Sequence, residues 1–218
     1  PLSAIKTYSH MLAENYMGEL TEAQKDTLGY IITGADRMNA LISTLLNITR
    51  IESGTIQVTP KLQRVDRIAD EVVRELSVIA SDKDIKLSFL TRGQGSFSVR
   101  TDSLIIKEVL INLITNAIKY TPEKGQVELM VRPRRDDIIL EVRDSGWGIP
   151  KYEQEQIFSK FFRGQNIVKR ETTGTGLGLY LVKGLVEALG GKIWFTSSEE
   201  KGTTFYVSLP RLRRLSDV

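Results

Sequence analysis

Three short runs in the C-terminal half carry side chains and backbone suited to a single ligand. Glu108, Asn112 and Asn116 stand four residues apart, Asp144-Ser145-Gly146-Trp147-Gly148 begins 28 residues after Asn116, and Gly174-Thr175-Gly176-Leu177-Gly178-Leu179 follows. Amide carbonyl oxygens are hard ligands that suit a partly hydrated magnesium ion. A carboxylate accepts a hydrogen bond from the exocyclic amine of adenine and is opposed by the O6 acceptor of guanine. Closely spaced glycines let backbone N–H groups approach phosphates. Together these chemistries suit a magnesium-bound adenine nucleotide.

Each run has a plainer explanation when taken alone. The asparagines could be ordinary helix-surface residues, DxGxG is a frequent turn, and a glycine string by itself says little. Order and company weaken those explanations. Glu108, Asn112 and Asn116 share one face of a helix whose Leu110, Leu113, Ile114 and Ala117 are apolar, so the polar face must be solvated or must bind something. Glu108 could assist proton transfer or orient an ion through water. Lys119 and Tyr120 follow at the same helix end, an ammonium for phosphate and a ring for packing. Asp144 closes an alternating run from Ile138, expected as a strand, and enters a turn where Gly146 and Gly148 permit close backbone approach. Gly174, Gly176 and Gly178 precede an apolar helix expected to Leu189, whose first turn would aim N–H groups at an anion. The polar stretch Ser159–Thr173 reads as a mobile lid, with Lys160, Arg163, Lys169 and Arg170 placed to face phosphates. The string lacks the Gly-Lys-Ser/Thr ending of a P-loop, and no strand-first dinucleotide fingerprint is present.

The elements that must hold these residues read as a second domain, residues 55–218. Strands are expected at Ile56–Val58, Ile85–Phe89, Gln126–Val131, Ile138–Asp144, Lys192–Ser197 and Thr203–Leu209. Helical spacing of Ile68, Val72, Leu76 and Ile79, and of Leu104 to Ala117, completes an α+β sandwich: a mixed sheet covered by helices on one face. Residues 1–54 read as a helical hairpin. Its first helix covers residues 1–16, and Thr21 with Gln24 makes a capping box for a second helix over Glu22–Glu52. Leu28, Ile31, Ala35, Met38, Ile42, Leu45 and Thr49 recur at about 3.5 residues, a coiled-coil seam. Ile32, Leu41, Leu46 and Ile48 broaden it beyond the cover of one short helix, so a four-helix bundle of two chains is expected, the alternative being a helical layer against the second domain.

Composition excludes several other classes. The 218 residues are 41% hydrophobic and 26% charged, which suits a folded domain with a core. There is no cysteine and a single histidine, so disulfides, thiolate zinc and multi-histidine metal sites are excluded. A net charge of +3, from 30 basic and 27 acidic residues, is too balanced for an extended nucleic-acid surface. Arg132, Arg134 and Arg135, and the tail residues Arg211, Arg213 and Arg214, read as solvated. No run approaches the length of a membrane span, and Pro1-Leu2-Ser3-Ala4-Ile5 has no leader pattern. A helix that opens on Pro1 without a cap reads as the interior of a longer polypeptide.

At these residues the chain resembles a sensor histidine kinase of two-component signalling, with the ATP-binding fold of the gyrase, Hsp90, histidine kinase and MutL superfamily. Glu108 to Thr121 (EVLINLITNAIKYT) resembles the N box, Asp144 to Pro150 (DSGWGIP) the G1 box, and Ile157 to Gly164 (IFSKFFRG) the F box. Thr173 to Tyr180 (TGTGLGLY) resembles the G2 box, and Gly202 to Phe205 the closing glycine-threonine motif. The resemblance implies ATP and Mg2+ as ligands, with Asn112 and Asn116 on the metal, Asp144 on adenine N6, and Lys119 and Tyr120 on phosphate and base. Glu108, with Asn112 beside it, would serve catalysis by helping to activate the acceptor histidine. Gly146, Gly148, Ile149, Arg163, Gly174 to Leu179 and Thr204 would line the nucleotide, and Phe158, Phe161, Phe162 and Arg163 would anchor the lid. Leu45 to Gly54 (LLNITRIESG) resembles the end of the dimerisation hairpin, and Pro1-Leu2-Ser3 the residues after the acceptor motif His-Glu-Leu-Arg-Thr. The acceptor would then lie upstream of Pro1, and His10 would be a packing or surface residue. The implied partners are a second copy of the chain, a response-regulator receiver domain and an upstream sensor domain, with neither nucleic acid nor membrane insertion by these residues and a cytoplasmic location. The competing reading is a non-enzymatic ATP-gated dimerisation or regulatory module of the same fold; a DNA-associated ATPase is a weaker third, having no transducer-like segment.

Overall fold

A computed structural model describes residues 1–164 and 174–211. They divide into two compact units, the first Pro1–Arg50 and the second starting at Ile51. The first contains α1 (Leu2–Ala13) and most of α2 (Glu22–Glu52). Helix α1 stops short of residue 16, where the chain turns through Asn15 and Gly18, both at positive φ (62° and 116°). The expected capping box opens α2: the Gln24 N–H donates to Thr21 Oγ1 at 3.3 Å and the Thr21 N–H to Gln24 Oε1 at 2.9 Å. Lys6 and Asp36 join the helices by a 2.8 Å ion pair. Leu28, Ala35 and Ile48 are buried, whereas Ile31, Met38, Ile42 and Leu45 are each at least 44% exposed. Leu28 and Ala35 of the expected seam are therefore used within the chain, and most of the rest of it is open.

In the second unit β1 (Lys61–Arg64) pairs antiparallel with β3 (Ser98–Thr101) as a two-stranded ribbon. Five longer strands, β2 (Lys86–Thr91), β4 (Gln126–Arg134), β5 (Asp137–Asp144), β6 (Lys192–Ser198) and β7 (Gly202–Pro210), form a sheet of order β2-β4-β5-β7-β6. The β2–β4 pair is parallel and the rest antiparallel, so the sheet is mixed. Three helices, α3 (Val65–Asp82), α4 (Ser103–Tyr120) and α5 (Gly178–Ala188), cover one face, as the alternation of apolar residues requires. The expected strand at Ile56–Val58 does not form. Pro60 has no N–H to give a ladder, the Thr59 N–H is taken by the Asp102 carboxylate at 2.9 Å, and pairing starts only at Lys61. The ribbon strand β3 had no signal in an apolar run so short.

Two placements matter for the site. On β5, Ile138, Leu140, Val142 and Asp144 point to the helix-covered face because side chains alternate, and the first three are essentially inaccessible. On α4, Ile106, Val109, Leu110, Leu113, Ile114 and Ala117 face the core, leaving Glu108, Asn112 and Asn116 half-buried on the flank. Asp102 caps this helix, its Oδ1 accepting from the Leu104 and Ile105 N–H groups at 3.0 and 3.4 Å. No described helix is long and apolar enough to cross a membrane. Leu140→Ala should cost about 2–5 kcal/mol in denaturant unfolding of the second unit. Leu62→Ala, at a side chain 73% exposed, should stay within about 0.5 kcal/mol of the parent.

Candidate functional site

Asp144 is the buried charge around which the site is built. It ends the apolar row of β5 beside Val127 of β4, and only 8% of it is exposed. Its Oδ1 accepts from the Gly146 N–H at 2.8 Å and from the Thr203 N–H at 3.1 Å. Oδ2 has no hydrogen bond among the described residues, and the carboxylate lines a cavity of about 280 Å³. One oxygen thus holds the turn and the strand end while the other faces the space a ligand would fill. A Cβ on Gly148, which has φ +68°, would stand 2.0 Å from the Ser198 carbonyl oxygen, so only glycine lets the turn lie against the end of β6.

Helix α4 supplies the second wall. The Asn112 side-chain amide donates to the Glu108 carbonyl oxygen at 2.9 Å, which turns its Oδ1 toward the start of α5. A Cβ on Gly178 would stand 3.3 Å from that oxygen and 3.9 Å from Asn116 Nδ2. Among the described residues no three His, Asp or Glu side chains converge as a metal site. An ion held by the two asparagines would therefore take its remaining oxygens from phosphate and water, as magnesium does on a nucleotide. Lys119 Nζ lies 5.4 Å from the Tyr120 ring centre and would be 2.9 Å from a Cβ on Gly174, at the head of the glycine string.

The third wall is the string itself. Gly176, at φ +70°, lies so close under Phe161 and Phe162 that a Cβ would meet the Phe161 carbonyl carbon at 2.5 Å. Helix α5 begins at Gly178 with no side-chain cap, so its first N–H groups remain available to an anion, and the macrodipole favours one there. Beneath the F-box run, Phe158 packs edge-on against Phe195 and Phe205, with ring centres 6.0 and 6.4 Å apart. This is core packing that ties the run to β6 and β7.

Family comparisons agree with this geometry. Residues 101–213, more than half of the chain, match the model of the histidine kinase-, DNA gyrase B-, and HSP90-like ATPases. The chain belongs to that family. Residues 1–54 match the His Kinase A (phospho-acceptor) domain. The chain is 34% identical over 211 residues to the circadian input-output histidine kinase CikA of Synechococcus elongatus, covering 96% of this chain and 28% of that protein. To the histidine-protein kinase BarA of Escherichia coli it is 30% identical over 211 residues, covering 94% and 22%. It therefore spans less than a third of the length of either relative. Among solved structures, the catalytic domain of histidine kinase ThkA is 30% identical with a TM-score of 0.61, covering 72% of this chain and 97% of that one. Full-length ShkA, solved with AMPPNP, shares the fold at a TM-score of 0.81 and 23% identity, covering 96% and 43%. The chain thus carries an ATP-binding catalytic domain of the histidine-kinase type joined to a phospho-acceptor-type domain.

Within this ATPase-family site, Asn112, Asn116, Lys119, Tyr120, Asp144, Gly148, Ile149, Arg163, Gly174, Thr175, Gly176, Gly178 and Leu179 all line the cavity. Gly146 lies behind it, where a Cβ would be 2.4 Å from the Tyr120 carbonyl oxygen, and Leu177 is buried beneath the string. Glu108 stands one turn before Asn112, outside the lining. Thr204 is placed on the opposite face of the sheet, in a concavity of about 830 Å³, because alternation along β7 turns Thr203 toward the nucleotide side in its stead. Thr203 and Phe205, part of the closing motif but not expected as lining residues, and the buried Glu153 also line the cavity; the strand period could have placed the first two. Lys160 is turned away from the cavity, paired with Glu52 and 5.2 Å from the Tyr180 ring centre. Tyr180 also donates to Glu52 at 2.7 Å, and these two partners lower the Glu52 pKa. Lys169, Arg170 and the rest of the stretch expected as a lid beyond Gly164 lie outside the described residues, as do Arg213 and Arg214.

Burial pushes the Asp144 pKa up to about 6, against the lowering effect of the two backbone N–H bonds. An unfolded aspartate titrates near 3.9, so between about pH 4 and 6 the folded chain binds more protons. Stability is therefore greatest below that window and falls as pH rises through it, by up to about 3 kcal/mol. A ligand amine on Oδ2 favours the ionised form, so nucleotide affinity should fall about tenfold for each pH unit below about 6, with proton release on binding. Asp144→Asn keeps an acceptor for Gly146 and Thr203 but removes the charge. It should raise the unfolding temperature at pH 7.5 and weaken ATP binding, both without the wild-type pH dependence; scanning calorimetry and titrations in two buffers check this.

Proposed function

We propose that these residues are the catalytic and dimerisation core of a sensor histidine kinase. The γ-phosphoryl group of Mg-ATP passes to a histidine that precedes Pro1 and then to an aspartate of a response-regulator receiver domain. What carries the reading is the half-satisfied carboxylate of Asp144, buried in a cavity shared with the polar flank of α4 and the uncapped start of α5. Asp144 Oδ2 would accept from the adenine amine, Asn112 and Asn116 would hold magnesium, and Lys119, Arg163 and the N–H groups from Gly174 to Leu179 would take the phosphates. Bound there, magnesium would neutralise charge on the triphosphate while the bond from the γ-phosphorus to the bridging oxygen breaks and a bond to the imidazole nitrogen forms. Glu108, one turn from Asn112, orients that imidazole or accepts its proton.

The hairpin, residues 1–54, is on this reading a dimer half, and the catalytic domain is residues 55–218. The open stripe Ile31, Met38, Ile42 and Leu45 has the spacing of a seam and is exposed in one chain, so a second copy covering it would complete a four-helix bundle. His10 is exposed and on this reading takes no part in phosphate transfer.

Titration calorimetry should show Mg-ATP bound in preference to Mg-GTP, and Asp144→Ala should lose about 1–3 kcal/mol of ATP binding. Equal affinity for the two nucleotides sinks the adenine assignment. With γ-labelled ATP, the polypeptide extended through the upstream histidine should gain an acid-labile, alkali-stable phosphate, and residues 1–218 alone should not. A label on the shorter chain that vanishes in His10→Gln overturns the placement of the acceptor; absence of label on the extended chain favours an ATP-gated module without transfer. In sedimentation, the chain should be dimeric and Ile42→Asp monomeric, since a carboxylate would be buried in the seam.

A further inference from the structure

The C-terminus of α4, which presents Lys119 and Tyr120 to the cavity, cannot be closed in the usual way. The last carbonyl groups of a helix have no partner within it and are commonly met by N–H groups of the two residues after the cap. Here the cap residue Thr121 is extended (φ −96°, ψ 129°) and the next residue is Pro122, which has no N–H. The carbonyls those bonds would serve are Ile118 and Lys119. Both instead accept from a side chain 35 and 36 residues away: Lys83 Nζ donates to the Ile118 oxygen at 3.0 Å and to the Lys119 oxygen at 2.6 Å.

Lys83 is itself held in place. It is the C-cap of α3, its N–H donating to the Ala80 carbonyl oxygen at 3.2 Å. The loop after it is stitched to the loop after α4, where the Lys124 N–H donates to the Asp84 oxygen at 2.8 Å and the Lys86 N–H to the Gly125 oxygen at 3.0 Å. The next carbonyl of α4, that of Tyr120, accepts from the Trp147 N–H of the Asp144 turn at 3.2 Å. Three successive carbonyls are thus fastened from outside the helix, two by one ammonium and one by the turn that carries the adenine-reading carboxylate. The ammonium also sits at the negative end of the macrodipole, offsetting a partial charge that would otherwise repel phosphate beside Lys119.

We infer that Lys83 is a positioning residue of the nucleotide site: it clamps the C-terminus of α4, fixes the backbone from which Lys119 and Tyr120 project, and favours the phosphate end of the ligand. The inference rests on the assignment of Lys119 to phosphate. Residues 1–218 and the variants Lys83→Met, Lys83→Arg and Lys119→Met are titrated with Mg-ATP and with adenosine, well below each unfolding temperature. Lys83→Met should weaken Mg-ATP about tenfold, the effect of losing one charged hydrogen bond, and adenosine much less. Lys83→Arg, which keeps donors and charge, should return Mg-ATP affinity to within about twofold of the parent. Lys83→Gln gives the same comparison if the methionine variant does not fold. A lowered unfolding temperature with unchanged Mg-ATP affinity, or equal losses for ATP and adenosine, reduces Lys83 to a structural cap and overturns the inference. Unchanged Mg-ATP affinity in Lys119→Met overturns the phosphate assignment itself, whatever Lys83 does.

Discussion

The second unit is organised around a carboxylate that its own strand forces into the core. Alternation along β5 puts Asp144 on the same face as Ile138, Leu140 and Val142, and no cation among the described residues neutralises it. Such a group is unfavourable unless hydrogen bonds replace water. Two backbone N–H groups do so at one oxygen, and each fixes a different segment: Gly146 shapes the turn, and Thr203 docks the start of β7. The oxygen left over faces the cavity, and on the proposed function it would give the cavity its selectivity. On the proposed function, stability given up to burial of this charge would be returned as recognition when a ligand amine completes its bonding.

Around this point the other parts are constrained by contact rather than by charge. Gly148 lies against the end of β6, Gly146 against the last turn of α4, and Gly202 so near the Asp144 carbonyl oxygen that a Cβ would be 2.0 Å away. Helix, turn and strand ends therefore converge with no room for side chains between them. The same economy appears at the start of α5, where Gly178 brings the backbone to the asparagines of α4. A nucleotide in the cavity would touch three elements whose mutual spacing is set by these close approaches, which is how a site built on strand and helix ends is pre-organised.

The hairpin follows a different logic. Its longer helix has two apolar faces, one consumed by its own chain through Leu28 and Ala35 and one left open through Ile31, Met38 and Ile42. An exposed apolar stripe of that spacing marks an interaction surface, and on the proposed function a symmetry-related copy would cover it. The catalytic unit needs no such cover: its core residues on β4, β5, α4 and α5 are closed within one chain.

Much of this was legible from residue order alone. Helical spacing of Glu108, Asn112 and Asn116, the alternation ending at Asp144, and the capping box at Thr21 and Gln24 are local patterns, and local patterns survive into the fold because short-range geometry dictates them. What the sequence could not determine are contacts made across distance. The strand expected at Ile56–Val58 lost to pairing that starts after Pro60, because a strand exists only where a partner offers a ladder. Thr203 rather than Thr204 faces the nucleotide side, since the phase of an alternation becomes absolute only when the sheet has a covered face. Lys160, beside the glycine string in sequence, pairs with Glu52, and Lys83, far from every motif, closes the helix that carries the first of them. Sequence determined which chemistry the chain carries; tertiary structure decided which side chains reach it, because burial and hydrogen bonding between remote segments are set only when the layers close.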